Sequence, residues 1–226
     1  MHCTASGVLL GLAVVWGVKC YNSQAPIGPE ISANEARTLV KSGDLVLFRT
    51  YHGNVFAGLY GYFSHVGVVV VMDGEPYILE GSGMSWNTLK PFHHDGIWLT
   101  KFFPRSIKYK GAVFVKRLNQ PLSLQQEASL VEFARSAKKQ VRFDGSPGYM
   151  VRRMLGKRPN IVEGANCSDL VLYALIRAGL MEERRCRDYR VNYVRFFAYM
   201  TETDHPHFSY EPIPTRVQSD ELDCVV

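Results

Sequence analysis

Cysteine is scarce in this sequence, and the cysteines present do not pair at metal-binding spacing. The five are Cys3, Cys20, Cys167, Cys186 and Cys224. An odd, scattered set of this kind does not form a disulfide framework, and no C-x-x-C pair suggests a zinc site. The pairs His93-His94 and His205-Pro206-His207 also lack a cysteine at zinc-like spacing. The sequence therefore predicts neither a metal site nor a bound cofactor, and it fits a reducing compartment better than an oxidising one.

Charge is also scarce: charged residues make up 21% of the 226 residues, and the formal net charge is +5. Basic residues cluster at 152–158 and 184–190. Nucleic-acid recognition motifs do not accompany them, and such clusters usually form a solvated surface. Internal repeats and low-complexity tracts are absent as well. With 46% hydrophobic residues, the chain is suited to one sizeable core. We expect a globular domain that does not bind nucleic acid.

The amino-terminal segment has no charged residue from Cys3 to Val18 and contains the apolar run "GVLLGLAVVWGV". Its length lies between that of a signal-peptide core and that of a spanning helix of about 20 residues. Lysine and arginine follow the run, beginning with Lys19, and none precedes it. The positive-inside rule then predicts an anchor at 1–20, a linker at 21–32 and a catalytic domain on the cytosolic side of a membrane. A cleaved secretory signal and a virion membrane are the alternatives.

The rest of the chain predicts a block of strands followed by a block of helices. Strands are expected at 44–50, 64–72, 76–82, 96–102 and 111–118, and helices at 33–41, 123–139, 166–178 and 192–200. This grouping is typical of an α+β fold. We expect one domain over 33–200, followed by an irregular tail over 201–226 that contains Pro206, Pro212 and Pro214.

A cysteine stands at the entrance of the most apolar of these helices, in "EGANCSDLVLYALIRAGL". Asn166 and Ser168 are helix-capping residue types, and Gly179 ends the run. Cys167 therefore falls in or just before the first turn, where free backbone N–H groups and the helix dipole favour a thiolate. This placement makes Cys167 a candidate nucleophile. The alternative is a buried cysteine that packs like a small hydrophobic residue.

A predicted hairpin brings a histidine and a carboxylate to one face of the sheet. Asp73-Gly74 between two apolar runs is a strong hairpin signal. A two-residue turn at this point makes Glu80 the diagonal neighbour of His65, about 7–8 Å away. A carboxylate that holds one imidazole nitrogen leaves the other free to exchange a proton, as nucleophilic catalysis requires. The alternatives are a core histidine and a solvated carboxylate at a strand end.

Four segments together resemble the permuted, YiiX-like branch of the NlpC-type cysteine peptidases, which are papain-like. They are "GDLVLF", "SHVGVVV", "YILEG" and "NCSDLVLYAL", and the resemblance covers roughly residues 38 to 200. It implies a circularly permuted papain-like fold, with an antiparallel sheet or barrel packed against the helix that bears the cysteine. It also implies that Cys167 is the nucleophile, His65 the base and Glu80 the orienting residue.

The sequence departs from related acyltransferases and from cell-wall enzymes. In the lecithin:retinol acyltransferase relatives the cysteine motif is Asn-Cys-Glu-His and the third residue is usually a second histidine. Here the motif is "NCSD" and the third residue is Glu80. No wall-binding SH3-like module is present, which argues against peptidoglycan as the substrate.

The resemblance implies a thiol hydrolase that cleaves an amide, isopeptide or ester bond in a peptide- or lipid-linked acyl substrate. The Cys167 thiolate would attack the carbonyl, and the Cys167 N–H would stabilise the oxyanion. An acyltransferase and a non-catalytic structural or virion membrane protein are the alternatives. The cleft candidates, which could instead be ordinary packing residues, are Tyr62, Ser64, Ser82 and Trp86.

Overall fold

The computed structural model describes residues 28–50, 62–82, 96–155, 157, 160, 162–192 and 194–218. The strands are β1 (Glu30–Ser32), β2 (Leu45–Thr50), β3 (His65–Met72), β4 (Glu75–Ser82), β5 (Gly96–Lys101), β6 (Gly111–Lys116) and β7 (Thr215–Gln218). The α-helices are α1 (Ala33–Leu39), α2 (Phe102–Ile107), α3 (Leu124–Gln140), α4 (Pro147–Met154), α5 (Cys167–Arg177) and α6 (Val194–Tyr199). Two short 3₁₀ helices, Glu183–Arg187 and Tyr189–Asn192, connect α5 to α6.

All seven strands form one sheet that does not close on itself, in the order β1-β7-β6-β2-β3-β4-β5. The pairs are antiparallel except for β1 and β7, which run parallel. The predicted α+β class is confirmed. The expected antiparallel sheet or barrel is instead an open mixed sheet, because a strand near the end of the described chain pairs in parallel with one near its beginning.

The segment after residue 200 is not irregular throughout, so that part of the domain prediction is wrong. Thr215–Gln218 forms β7, and Tyr210 is buried with its hydroxyl donating a hydrogen bond to the Gly43 carbonyl at 2.8 Å. Pro214 lies directly before the strand, a position that proline tolerates because it costs no ladder hydrogen bond. Similarly, β1 occupies the last three positions of the predicted linker. The domain therefore includes both of these short strands.

The sheet is buried on both faces. The larger core lies between the sheet and helices α3, α5 and α6, and it includes Leu47, Val66, Val68, Leu130, Leu170 and Phe197. The smaller core lies against α1 and α2, and it includes Ala36, Phe48, Val69, Ile78 and Phe102. Successive residues of β3 alternate between the two cores, as side chains of a strand must. This two-sided burial explains the uninterrupted valine run, which is typical of a strand without a solvent face.

The β3–β4 hairpin has the predicted register. Met72 pairs with Glu75, so the turn contains only Asp73-Gly74, with φ angles of 52° and 75°. Two consecutive positive φ angles are typical of a type I′ turn, which suits the twist of a hairpin. Gly67 lies directly opposite Glu80, and a Cβ atom at position 67 would lie 2.6 Å from Ile78 Cγ2. Since glycine has no side chain, Ile78 can pack directly against the backbone at this position.

Within the described ranges, no helix has the length and apolarity needed to cross a membrane. The predicted anchor at 1–20 lies outside these ranges, as does most of the predicted linker.

Candidate active site

The cysteine at the start of α5 is held by a well-formed helix cap. Asn166 Oδ1 accepts a hydrogen bond from the Asp169 N–H at 2.8 Å, and Asp169 Oδ2 accepts one from the Asn166 N–H at 3.3 Å. This reciprocal capping box fixes where the helix begins. Asn166 is thus the cap, whereas Ser168 lies inside the first turn and is buried. Cys167 is the first helical residue, at the positive end of the helix dipole.

A second buried cluster of hydrogen bonds holds the first turn of α5 in place. The Tyr149 hydroxyl donates to Asp169 Oδ2 at 2.7 Å, and Arg153 Nε donates to Asp169 Oδ1 at 3.1 Å. Arg153 also donates through Nη1 to the Cys186 carbonyl at 3.0 Å. Burial raises the pKa of Asp169, although the charge of Arg153 opposes the shift. These bonds attach α4 to the first turn of α5 and so restrict movement of Cys167.

The imidazole of His65 is bonded to the carboxylate of Glu80. His65 Nε2 lies 2.8 Å from Glu80 Oε2, and the Glu80 side chain is fully buried while that of His65 is 15% exposed. The diagonal arrangement follows from the hairpin register, in which Glu80 pairs with Gly67. Since Nε2 faces Glu80, Nδ1 is the ring nitrogen left for another partner.

The Cys167 side chain also interacts with His65, close enough for each group to shift the pKa of the other. Cys167 packs against the larger core, whereas Glu80 lies on the same face as Ile78 of the smaller core. His65 is the first residue of β3, so the contact joins the two sides of the sheet at the end of a strand. The structure therefore brings together the three residues that the sequence pattern singles out.

A fourth residue, Arg105 of α2, contacts this group and was not predicted from the sequence. Arg105 Nε donates to Glu80 Oε1 at 2.7 Å, and Nη2 donates to Oε2 at 3.0 Å. Thr100 adds a hydroxyl donor to Oε1 at 3.3 Å. The guanidinium also packs over the rings of Phe48 and Tyr109, at 4.7 and 5.1 Å from their centroids. The sequence did contain one indication that Arg105 is buried. It lies within "FFPRSIKY", an apolar and aromatic setting that is unusual for an exposed arginine.

The electrostatics of the group favour an ion pair. Burial acts to lower the pKa of His65, but hydrogen bonds to Cys167 and Glu80 and their negative charges raise it to about 9. Burial acts to raise the pKa of Glu80, but hydrogen bonds and positive charge from His65 and Arg105 lower it to about 2. Burial also opposes ionisation of Cys167, and the hydrogen bond and charge of His65 outweigh it, so the thiol pKa is lowered. Both shifts favour a thiolate beside an imidazolium.

The three cleft candidates that the structure describes occupy different environments. Tyr62 is buried, its hydroxyl accepts a hydrogen bond from Arg49, and its ring packs against Phe63, which favours the packing interpretation. Ser64, next to His65, is half-buried and donates to the Phe48 carbonyl at 3.3 Å. Ser82 is buried at the end of β4. Trp86 lies outside the described residues.

Among the described residues, no group of three or more histidine, cysteine, aspartate or glutamate side chains is placed to hold a metal ion.

Comparison with known proteins gives no family assignment. No family model matches the sequence, and no curated protein matches it. Among solved structures, the chain is similar to the metalloprotein YiiX from Escherichia coli O157:H7, with 16% sequence identity and a TM-score of 0.45. That similarity covers 76% of this chain and 96% of the YiiX chain. At this TM-score the function has to be argued from the geometry of the site itself.

Proposed function

We propose that this protein is a thiol hydrolase that cleaves an amide, isopeptide or ester bond through Cys167, His65 and Glu80, on a circularly permuted papain-like fold. One observation carries the proposal: a cysteine at a helix N-terminus interacts with a histidine, and that histidine is hydrogen-bonded to a buried carboxylate. In chain order the histidine and carboxylate precede the cysteine, as the sequence resemblance implies.

The first half of the reaction would form an acyl-enzyme. The Cys167 thiolate attacks the substrate carbonyl carbon, a C–S bond forms, and the carbonyl π electrons move to the oxygen. The Cys167 N–H in the first turn of α5 is the proposed donor to this oxyanion. When the intermediate collapses, the bond to the leaving amine or alcohol breaks. The leaving group takes the proton from His65 Nδ1, while Glu80 holds the ring through Nε2.

The second half would release the acyl group. Neutral His65 now accepts a proton from water, and the water oxygen attacks the thioester carbonyl. Collapse of this second intermediate breaks the C–S bond, expels the thiolate and leaves a carboxylic acid. An alcohol or amine in place of water would give acyl transfer through the same steps, so the two activities share this site.

Accessibility supports a catalytic role over a purely structural one. Cys167 is half-buried, whereas Cys186 is buried in the larger core. The His65 side chain is also partly exposed. A cysteine that served only as packing would not need an imidazole partner or an opening to solvent.

An electrophilic acyl or vinyl thiol probe, followed by mass spectrometry, tests the proposal. Cys167 should carry the label, and Cys186 in the same molecule is the internal control. Cys167→Ser should remove the label, and His65→Ala should slow it strongly. Equal labelling of the two cysteines, unaffected by His65→Ala, would favour a non-catalytic protein that retains the fold. With the acyl probe, which leaves a thioester on Cys167, release of the free acid in water or of an ester when an alcohol is added then separates hydrolysis from transfer.

We also propose that the apolar segment 1–20 attaches the protein to a membrane, with the catalytic domain on the cytosolic side. The support is the uncharged run from Cys3 to Val18, followed by Lys19. Peptide- or lipid-linked acyl substrates near that surface would then be the accessible ones. Alkaline carbonate extraction and the mature amino terminus test this: retention in the membrane with Met1 or His2 intact is expected. A mature terminus near Tyr21 in the medium would show secretion instead.

A further inference from the structure

We propose that Arg105 is a positioning residue of this site, which holds the Glu80 carboxylate in its orientation and balances the charge of the thiolate–imidazolium pair. The inference rests on the proposed function and adds a fourth group to it. Arg105 belongs to α2, outside the hairpin and the cysteine helix that supply the other three.

The geometry restricts Glu80 to one orientation. Each carboxylate oxygen accepts one guanidinium N–H from Arg105, so the two planar groups are joined by two parallel hydrogen bonds. Oε2 is also hydrogen-bonded to His65 Nε2. The rings of Phe48 and Tyr109 restrict the guanidinium in turn. Rotation of the carboxylate would break its hydrogen bonds to both neighbours. Arg105 therefore fixes the orientation of the imidazole through the Glu80 carboxylate.

The charge of Arg105 affects the site separately from the orientation of Glu80. The reactive form contains two negative groups, the Cys167 thiolate and the Glu80 carboxylate, and two positive groups, the His65 imidazolium and Arg105. Their sum is zero. Without Arg105 the reactive form would carry a net negative charge in a largely buried site, and uptake of a proton by the sulfur would be favoured.

Two charged side chains on elements that pack beside the site have other partners. On α5 itself, Asp169 is bonded to Arg153 and Tyr149 from α4. On α3, the ammonium group of Lys138 lies over the ring of Trp98 in β5, 5.2 Å from its centroid. His65 and Glu80 come from β3 and β4. Arg105 is bonded to the Glu80 carboxylate, which in turn faces the imidazole of His65.

The test measures how the alkylation rate of Cys167 by iodoacetamide depends on pH. Arg105→Gln removes the charge but keeps a hydrogen-bond donor for Glu80. It should raise the pH midpoint of Cys167 reactivity by about one unit, the effect of a unit charge about 10 Å away at an effective dielectric constant of about 20. Arg105→Lys keeps the charge and should leave the midpoint unchanged. Arg37→Gln is the matched control, since Arg37 forms a surface ion pair with Glu75.

The outcomes separate this inference from the proposed function. An unshifted midpoint in folded Arg105→Gln, verified by near-ultraviolet circular dichroism, would overturn the role of Arg105 while Cys167 stayed reactive. If Arg105→Gln does not fold, Arg105→Lys decides: an unchanged midpoint supports the charge argument, and a raised midpoint overturns it. If wild-type Cys167 is no more reactive than Cys186, the proposed function itself fails.

Discussion

Replacing Glu80 by glutamine should destabilise the folded protein strongly, and by an amount that depends on pH. The Glu80 carboxylate is fully buried and bonded to His65, Arg105 and Thr100. Glutamine keeps the shape but leaves the buried guanidinium facing a neutral amide, with at least one N–H directed at another donor. Removing one partner of a buried ion pair costs about 3–5 kcal/mol. Against a total stability of about 5–15 kcal/mol, this is a large effect.

The lowered pKa of Glu80 gives a similar value for the contribution of its carboxylate to the free energy of unfolding. Its value falls from 4.5 to about 2 in the folded protein, and each unit corresponds to about 1.4 kcal/mol, so the ionised carboxylate contributes about 3 kcal/mol. A carboxyl whose folded-state pKa is lowered stabilises the protein above its unfolded-state pKa. That contribution is therefore complete above pH 4.5 and is lost as the pH falls from 4.5 towards 2.

Urea unfolding of wild-type protein and of Glu80→Gln at several pH values measures both effects. The difference in unfolding free energy should be about 3 kcal/mol at pH 7 and should shrink below pH 4.5. Glu75→Gln on the same strand is the control, because its ion pair with Arg37 is exposed and should contribute well under 1 kcal/mol. A difference below about 1 kcal/mol for Glu80→Gln, or one that persists unchanged at pH 3, would refute the assignment of Glu80 as the buried anion.

Three further predictions follow from the same structure. Burial lowers the pKa of Lys116 from 10.5 to about 8. The unfolded chain therefore binds more protons between these values, and wild-type stability should rise between pH 8 and 10 relative to Lys116→Met in urea unfolding. In native protein, mass spectrometry should find Cys167 alkylated well before Cys186, with the advantage reduced in His65→Ala; equal rates would contradict the ion pair. A chain ending at Met200 lacks β7 and should show a lower urea midpoint and less soluble protein than one that includes β7; equal midpoints would show that the strand is dispensable.

The parts of the site that depend on short-range geometry could be predicted from the sequence. Asp73-Gly74 fixes the hairpin register, and the two-residue period of a strand then places His65 and Glu80 on one face. The position of Cys167 at a helix start follows from Asn166 and the apolar period that comes after it. Each of these inferences needs only residues within one element or one hairpin.

The parts that depend on distant packing could not be predicted in this way. Arg105 reaches Glu80 only because α2 folds back against β4, and no local pattern in a six-residue helix indicates that contact. A buried carboxylate implies a buried cation or donor beside it, but the sequence does not say which residue supplies it. Similarly, β7 is only four residues long, and its place between β1 and β6 is decided by tertiary pairing.

The parallel pairing of β1 with β7 also has a consequence for folding while the chain is being synthesised. Glu30 pairs with Arg216, and β1 has no neighbour in the described sheet other than β7. At a synthesis rate of about 5–20 residues per second, Glu30 leaves the ribosome about 10–40 seconds before its partner. Once β6 has been synthesised, and until β7 pairs with it, its free edge offers unpaired N–H and C=O groups to other strands. Ribosome-bound chains stalled before Thr215 should therefore be far more prone to aggregate than released full-length chains, although they already contain every residue of the candidate site.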